Sequence, residues 1–247
     1  MRWLRAVLFE ISMVIATMIT ATTLVLMAPL PFRWRSRVSR VYAGYVIGTL
    51  RLLCGIDYTV EGRENIPAGT AIIFSKHQSA WETFALQLIF PPQCWVLKRE
   101  LMWVPFFGWG LGMLKPIAID RSAGRKALKQ VIEKGASRLQ EGIWVTVFPE
   151  GTRVAPGVHK RWGVGGAMLA AKTAYPVVPV AHNAGEFWPR RALVKNPGTI
   201  RVVIGPVIQT EGLSAAEINQ RGEAWMDATM ARISSVPITR EYGKDST

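Results

Sequence analysis

Two short clusters of polar residues have the types and the spacing that catalysis could use. The first contains His77 and Glu82, five positions apart, just after an apolar segment at 71–74. A strand-to-helix junction is a common place for catalytic groups in α/β folds. If the chain turns into a helix after His77, the Glu82 carboxylate can orient the imidazole and stabilise it when it accepts a proton. The same spacing also fits a capped turn without a catalytic role.

The second cluster is the segment 148–153, Phe-Pro-Glu-Gly-Thr-Arg, which follows another apolar segment. Gly151 permits a tight approach of the backbone to a ligand. The planar guanidinium of Arg153 suits a phosphate. In isolation, the pattern is equally typical of a turn that ends a strand and exposes an arginine.

Short β-rich segments alternate with helical segments from residue 58 onward, which predicts an α/β domain built on a single mixed sheet flanked by helices. The candidate strands are residues 58–61, 70–75, 94–97, 116–119, 144–148, 177–181 and 200–204. The clearest helix spans about residues 122–141 and has one apolar and one basic face. The basic face carries Arg125, Lys126, Lys129, Lys134 and Arg138. A capping box formed by Ser214 and Glu217 predicts the start of the last helix.

The N-terminal segment is apolar enough to enter a membrane. Residues 11–32 carry no charge, and a helix of that length would reach about 33 Å, close to the ~30 Å of a bilayer core. Pro29 and Pro31 should end this helix near Ala28. A second apolar segment follows at residues 41–53.

Arginines lie on both sides of the first apolar segment, at positions 2 and 5 and again at 33, 35, 37 and 40. Since the positive-inside rule places both flanks in the cytoplasm, a two-helix hairpin in one leaflet is favoured over a single span. A cleaved signal peptide fits less well, because no small-residue cleavage site precedes a polar segment. We therefore expect membrane-associated helices at 1–56 and an α/β domain at 57–247.

The charge balance indicates an anionic partner. The chain has 30 Lys and Arg against 17 Asp and Glu, a formal net charge of +13. This surplus fits an anionic membrane surface, acidic ligands or nucleic acid. The alternative that this chain only binds a membrane surface or nucleic acid, without enzymatic activity, is supported by this charge alone. The uncharged N-terminal segment disfavours a nucleic-acid partner. Cys54 and Cys94 have no zinc-binding spacing and are expected to be reduced thiols.

Together, the two polar clusters resemble the sequence blocks of the glycerol-phosphate acyltransferase superfamily, in particular the bacterial 1-acyl-glycerol-3-phosphate acyltransferases. The similarity continues through Lys98-Arg99-Glu100-Leu101, residues 104–108, Ile119-Asp120-Arg121 and residues 177–180. All four blocks of that family occur in its order, within about residues 60–210, and the segment 148–153 is the most specific of them.

The resemblance implies transfer of a fatty acyl group from a thioester of acyl carrier protein or coenzyme A to the free hydroxyl of lysophosphatidic acid, giving phosphatidic acid. His77 would act as general base on that hydroxyl, and Glu82 would orient its imidazole, with no nucleophile supplied by the enzyme. Neither a metal nor another cofactor is implied. Such an enzyme would work at the cytoplasmic face of the inner membrane, in contact with membrane lipids.

The resemblance also implies a site for the phosphate of the acceptor. Arg153 would bind this phosphate, with Lys98 or Arg99 as the second cation. Relatives that acylate another lyso-lipid, such as lyso-ornithine lipid, share the first and third blocks but need no phosphate site. The sequence leaves this alternative acceptor open.

The middle of the segment 148–153 has expected functions as well. Glu150 would either orient Arg153 or bind a glycerol hydroxyl. Gly151 and Thr152 would bring backbone donors close to the ligand.

Glu82 departs from the family pattern, which usually has Asp at this position. The extra methylene moves the carboxylate by about 1.5 Å, the length of one carbon–carbon bond. Because the longer side chain is flexible, we expect it to reach the same ring nitrogen of His77.

The remaining histidines are expected to have no catalytic function. His159 lies in a basic loop that would touch headgroups, and His182 would satisfy backbone groups after a strand or line the site. A group of aromatic residues would reach the acyl region of the bilayer or lie in the core. This group is Trp103, Phe106, Phe107 and Trp109.

Overall fold

The computed structural model describes residues 2–241, in which eight helices and nine strands largely alternate. The helices are α1 (Arg2–Leu26), α2 (Phe32–Cys54), α3 (Trp81–Ile89), α4 (Phe107–Gly112), α5 (Arg125–Gln140), α6 (Gly165–Thr173), α7 (Ala184–Phe187) and α8 (Ala215–Ile233). The strands are β1 (Ile56–Glu61), β2 (Ile72–Ser75), β3 (Gln93–Lys98), β4 (Ile117–Ile119), β5 (Trp144–Val147), β6 (Val158–His159), β7 (Val177–His182), β8 (Gly198–Ile204) and β9 (Arg240–Glu241).

Seven of the strands form one mixed sheet in the order β1-β8-β7-β2-β5-β3-β4. All neighbours pair in parallel except β7 and β8, which are antiparallel. Each of the seven predicted strands is present, and its ends lie within two residues of the predicted positions. The short strands β6 and β9 form a separate parallel pair that no sequence pattern indicates.

The two faces of the sheet contribute to different parts of the core. In β2, Ile73 packs with residues of α2 and α3, whereas Ile72 and Phe74 pack with residues of α5, α6 and α8. This division follows from the period of two in a strand. Because helices cover both faces, β2 is buried along its whole length.

Helices α1 and α2 form an antiparallel hairpin, as the sequence predicts. Helix α1 ends at Leu26, just before the turn that contains Pro29 and Pro31. Across the hairpin, the hydroxyls of Thr17 and Tyr42 share a hydrogen bond of 2.5 Å. Packing of α1 on α4 and of α2 on α3 joins the hairpin to the α/β part of the chain.

The outer surface of the hairpin differs between its two helices. Within residues 2–241, α1 is the one helix that is long and apolar enough to cross a membrane, with a mean hydropathy of 1.8 and only 17% of that stretch buried. The start of α2 is instead exposed and basic, and the Arg37 guanidinium lies 4.6 Å from the ring centroid of Trp34. An apolar helix beside a basic, Trp-containing helix is typical of a protein held at a membrane surface.

Lys195 joins α1 to the loop that precedes β8. Its side chain is fully buried (0% exposed) and forms an ion pair with Glu10. The ammonium also donates to the Leu193 carbonyl at 2.9 Å and lies 4.9 Å and 5.1 Å from the ring centroids of Phe9 and Trp188. Because a buried ammonium needs a counter-charge, this pair fixes the position of α1 against the sheet domain.

Substitution Glu10→Gln should destabilise the protein, because it leaves the Lys195 ammonium buried without a counter-charge. We expect the free energy of unfolding to fall by about 3 kcal/mol, at the lower end for breaking a buried pair since Glu10 is partly exposed. Adding Lys195→Met should restore part of this loss by removing the unpaired charge. Urea unfolding in detergent measures both effects, with Glu133→Gln in the exposed Lys129–Glu133 pair as the control. Equal losses in Glu10→Gln and the control would contradict the prediction.

Candidate active site

The carboxyl ends of five parallel strands meet at one edge of the sheet. His77 follows β2, Lys98 ends β3, Arg121 follows β4, Arg153 follows β5 and His182 ends β7. Ligands of open α/β sheets bind outside the carboxyl ends of the strands. The two clusters that the sequence places about seventy residues apart are therefore neighbours, because β2 and β5 pair directly.

His77 and Glu82 are in direct contact. The Nδ1 atom of His77 lies 2.8 Å from Oε1 of Glu82, which is in the first turn of α3. The ring of His77 stacks on Phe148, with 4.0 Å between the ring centroids. Since an ionised carboxylate can only accept a hydrogen bond, Nδ1 of His77 carries the hydrogen and donates it to Glu82. The Nε2 atom therefore carries the lone pair that can accept a proton from a ligand. The expectation that the longer Glu82 reaches the same nitrogen agrees with this geometry.

The Glu82 carboxylate is fully buried (0% exposed) and is held by several donors. The backbone N–H groups of Gln78 and Ser79 donate to Oε1, each at 2.9 Å. Burial by itself opposes the charged form, but the adjacent His182 and His77 and the Ser79 N–H outweigh it and lower the pKa of Glu82. The carboxylate is thus kept ionised beside the imidazole.

Glu150 contacts the backbone of His77 through its carboxylate. Its Oε2 accepts the His77 N–H at 3.0 Å, and its Oε1 forms an ion pair with Lys76. Both side chains are almost completely buried, and burial raises the pKa of Glu150 while the Lys76 ammonium counteracts part of that increase. The sequence offered two functions for Glu150, orienting Arg153 or binding a glycerol hydroxyl, and the structure places its carboxylate on Lys76 and His77 instead.

The turn after β5 explains the glycine of the second cluster. Gly151 has a φ of 69°, a conformation that favours glycine. A Cβ atom added there would meet no protein atom within 4 Å, so the backbone angle rather than crowding by the protein requires the glycine. Its N–H donates to the Phe148 carbonyl at 2.9 Å and is therefore engaged in the turn. Thr152 follows it and is half-buried.

Three cations line the cavity beside His77, namely Lys98, Arg121 and Arg153. Arg121 donates to the Gly151 carbonyl, which fixes it next to the turn. Burial lowers the pKa of the Arg153 guanidinium, and the charge of Glu82 opposes this shift. A guanidinium nevertheless remains charged in proteins.

The structure separates the two candidates for the second cation. Lys98 lines the cavity and its ammonium lies 3.3 Å from Oε1 of Glu100. Arg99 does not line the cavity and pairs with Asp120 at 3.0 Å. Arg121 was not among the expected site residues, although the Ile119-Asp120-Arg121 segment belongs to the family resemblance. That segment was the available signal for it.

The cavity extends from His77 toward the hairpin and has a volume of about 260 Å³. Apolar side chains of several elements form most of its wall, among them Leu24 of α1, Leu111 of α4 and Trp95 of β3. The indole Nε1 of Trp95 is buried without a hydrogen-bond partner in the described part of the chain. One end of the cavity is thus cationic and the other end is apolar.

The other two histidines lie outside the pair formed by His77 and Glu82. His182 is fully buried, and its Nε2 donates to the Lys76 carbonyl at 2.8 Å, so it satisfies a backbone group as expected. Burial lowers the pKa of His182, although the charge of the nearby Glu82 opposes this shift. His159 lies within 3.7 Å of Glu223 and 3.6 Å of Asp227 rather than in a purely basic loop.

Within residues 2–241, no three His, Cys, Asp or Glu side chains lie together in a group that could bind a metal ion. Cys94 is buried, which raises its pKa to about 12, and Cys54 is half-buried; both are free thiols. The aromatic residues near α4 are exposed, with Trp103 and Trp109 at 65% and 54%. A core position for these two residues is therefore wrong.

Comparison with known proteins gives consistent similarities. Residues 57–183 match the family model described as Acyltransferase. The chain is 48% identical over 238 residues to the 1-acyl-sn-glycerol-3-phosphate acyltransferase of Pseudomonas aeruginosa, covering 94% of this chain and 93% of that protein. It is 32% identical over 185 residues to the Saccharomyces cerevisiae protein of the same name, covering 72% of this chain and 60% of that one.

A solved structure has the same fold along almost the whole chain. The crystal structure of the 1-acyl-sn-glycerophosphate acyltransferase from Thermotoga maritima aligns with a TM-score of 0.79 at 22% identity. The alignment covers 95% of this chain and 98% of the other. The mixed sheet and its N-terminal helices are thus a shared architecture.

The buried carboxylate of Glu82 should make stability depend on pH in acid. Because its folded-state pKa is lowered, its contribution is fully present above the unfolded-state pKa of about 4.3 and is lost as the pH falls through the folded-state pKa. Glu82→Gln removes this ionisation, so its urea midpoint should fall less between about pH 6 and pH 3 than that of the unmodified protein. Glu133→Gln, on the exposed face of α5, serves as the control. Parallel curves for Glu82→Gln and the unmodified protein would contradict the assignment.

Proposed function

Because the chain belongs to the acyltransferase family, we propose that it transfers a fatty acyl group from a thioester to the free sn-2 hydroxyl of lysophosphatidic acid, giving phosphatidic acid. The observation that carries the proposal is the contact of 2.8 Å between His77 Nδ1 and Glu82 Oε1 at the cationic end of an apolar cavity. The relatives' names give the acceptor, 1-acyl-sn-glycerol-3-phosphate, and the class of reaction, acyl transfer.

His77 acts as the general base in this reaction. Its Nε2 takes the proton of the acceptor hydroxyl while the hydroxyl oxygen attacks the thioester carbonyl carbon. When the tetrahedral intermediate collapses, the carbon–sulfur bond breaks and the imidazolium returns the proton to the leaving thiolate. Glu82 fixes the Nδ1–H tautomer and stabilises the imidazolium between the two steps. General-base catalysis of this kind contributes about 10²–10⁴ in rate.

The phosphate of the acceptor lies among the cations that line the cavity. Arg153 and Arg121 offer planar donor groups that suit phosphate oxygens, and Lys98 adds a point charge. All three follow or end strands of the rigid sheet, so their positions relative to His77 are fixed by the fold. The apolar remainder of the cavity suits a fatty chain.

The protein works at a membrane surface, because a lipid acceptor stays in the bilayer and burial of its chain is worth about 0.8 kcal/mol per CH₂. The exposed face of α1 would lie in the acyl region, with the arginines of α2 at the headgroups. The basic flanks of α1 favour the cytoplasmic face of the inner membrane, as the positive-inside rule predicts. The donor is the thioester of acyl carrier protein or coenzyme A, and the reaction uses no metal or other cofactor.

His77→Ala should greatly slow acyl transfer, because it removes the group that takes the hydroxyl proton. The assay offers lysophosphatidic acid and lyso-ornithine lipid, each with a long-chain thioester on either carrier, to the purified protein in detergent. We expect phosphatidic acid from the unmodified protein and a rate at least about 10²-fold lower from the variant. Product from the ornithine lipid alone would change the acceptor, and no product from either acceptor would refute the proposed function.

Arg153→Ala and Lys98→Met should raise the KM for lysophosphatidic acid, because each removes a charge from the phosphate site. We expect about a tenfold increase for each, corresponding to loss of one charge-assisted hydrogen bond. Arg99→Met is the matched comparison, since Arg99 is adjacent in sequence but pairs with Asp120 outside the cavity. An acceptor KM that rises with Arg99→Met and not with Lys98→Met would reverse the assignment of the second cation.

A further inference from the structure

A second concave site lies at the outer edge of the sheet, between β4, the start of α5 and the segment after β3. We call it the β4 groove, and its volume is about 350 Å³. The residues that line it include Arg99, Ala118, Asp120, Lys126, Gln130 and Lys134. None of the functions described above uses this groove.

The β4 groove is positively charged. Lys126, Gln130 and Lys134 are spaced by four, so they lie on one side of α5 and span about 12 Å along it. Neither lysine forms an ion pair within residues 2–241. On the opposite side, Arg99 and Asp120 neutralise each other at 3.0 Å. The groove therefore presents two uncompensated ammonium groups and the donors of Arg99 and Gln130 to a ligand.

The groove and the catalytic cavity share a wall. At the end of β3, Lys98 lines the cavity and the next residue, Arg99, lines the groove. After β4, Asp120 lines the groove and the next residue, Arg121, lines the cavity. These two pairs of adjacent residues thus separate the catalytic cavity from the β4 groove. We infer that a ligand whose reactive end lies at His77 places its other end in the groove.

The thioester donor has such a shape. Its carbonyl must reach His77, its fatty chain needs an apolar space, and its thiol belongs to a pantetheine arm. In both candidate donors that arm ends in a phosphate, a diphosphate in coenzyme A and a phosphodiester to serine in acyl carrier protein. A small concave site with lysines suits a phosphate group better than the broad face of a protein, which would need about 600 Å² or more of surface.

We propose that the β4 groove binds the phosphate at the end of the pantetheine arm of the acyl donor. The inference rests on the proposed function, since it assigns the donor's position in that reaction. Arg153, Arg121 and Lys98 bind the phosphate of the acceptor, and Lys126 and Lys134 bind that of the donor. The two phosphates are thus held on opposite sides of the shared wall.

The test is steady-state kinetics of the double variant Lys126→Glu/Lys134→Glu with acyl-coenzyme A and with acyl carrier protein thioester. We expect the KM for both donors to rise at least about tenfold, with kcat and the KM for lysophosphatidic acid unchanged. Acyl-pantetheine, which has no phosphate, should be used equally well by the variant and the unmodified protein. A change with one donor only would assign the groove to that donor's phosphate.

The matched control is Arg125→Glu/Lys129→Glu, which makes the same change of charge on the same helix outside the groove. It should leave the donor KM within about twofold of the unmodified value, and both variants should keep the native melting temperature because all four side chains are exposed. An equal rise of the donor KM in the two variants would overturn the proposal. The proposal would also be overturned if the groove variant only bound anionic vesicles more weakly and kept the donor KM of the unmodified protein. Absence of transfer by the unmodified protein would instead refute the proposed function itself.

Discussion

The site depends on keeping a fully buried carboxylate ionised. Glu82 is removed from water, and an unpaired charge in that position would be protonated rather than tolerated. The N–H groups of Gln78 and Ser79 and the ring of His77 supply its hydrogen bonds, and each of them belongs to the same strand-to-helix connection. The connection therefore cannot relax without unpairing the carboxylate, and the imidazole is oriented by the same interaction that holds the loop.

A second buried charge pair holds this connection from the neighbouring strand. Glu150 belongs to the turn after β5, yet its two oxygens contact Lys76 and the His77 N–H after β2. Val154 also donates to the His77 carbonyl at 2.8 Å. The Phe-Pro-Glu-Gly-Thr-Arg cluster thus positions His77 through its glutamate and supplies a cation through its arginine. This region can do both because the Glu150 carboxylate and the Val154 N–H, which contact His77, are distinct from the Arg153 guanidinium that lines the cavity.

The sequence predicted the sheet well because its strands are buried and short, so that apolar composition and turn residues determine them. The hairpin was predictable from the prolines at 29 and 31 and from the uncharged segment. The function of Glu150 was not predictable, since its partner Lys76 precedes it by 74 residues and nothing in either local sequence indicates an ion pair. Likewise, Arg121 enters the cavity only because β3 and β4 are neighbours, which is a property of strand order and not of local pattern.

Strand order also explains how one edge of a small sheet carries two separate concave sites. Successive side chains of an extended segment point in opposite directions. Lys98 is the last residue of β3 and Arg99 begins the 3-10 turn that follows, and the two line different spaces. Asp120 and Arg121 do the same where β4 passes into the next 3-10 turn. The cavity receives charge from one member of each pair and the groove receives it from the other. Adjacent residues at the ends of β3 and β4 thus divide the two concave sites, and the proposed separation of the acceptor phosphate from the donor phosphate rests on this division.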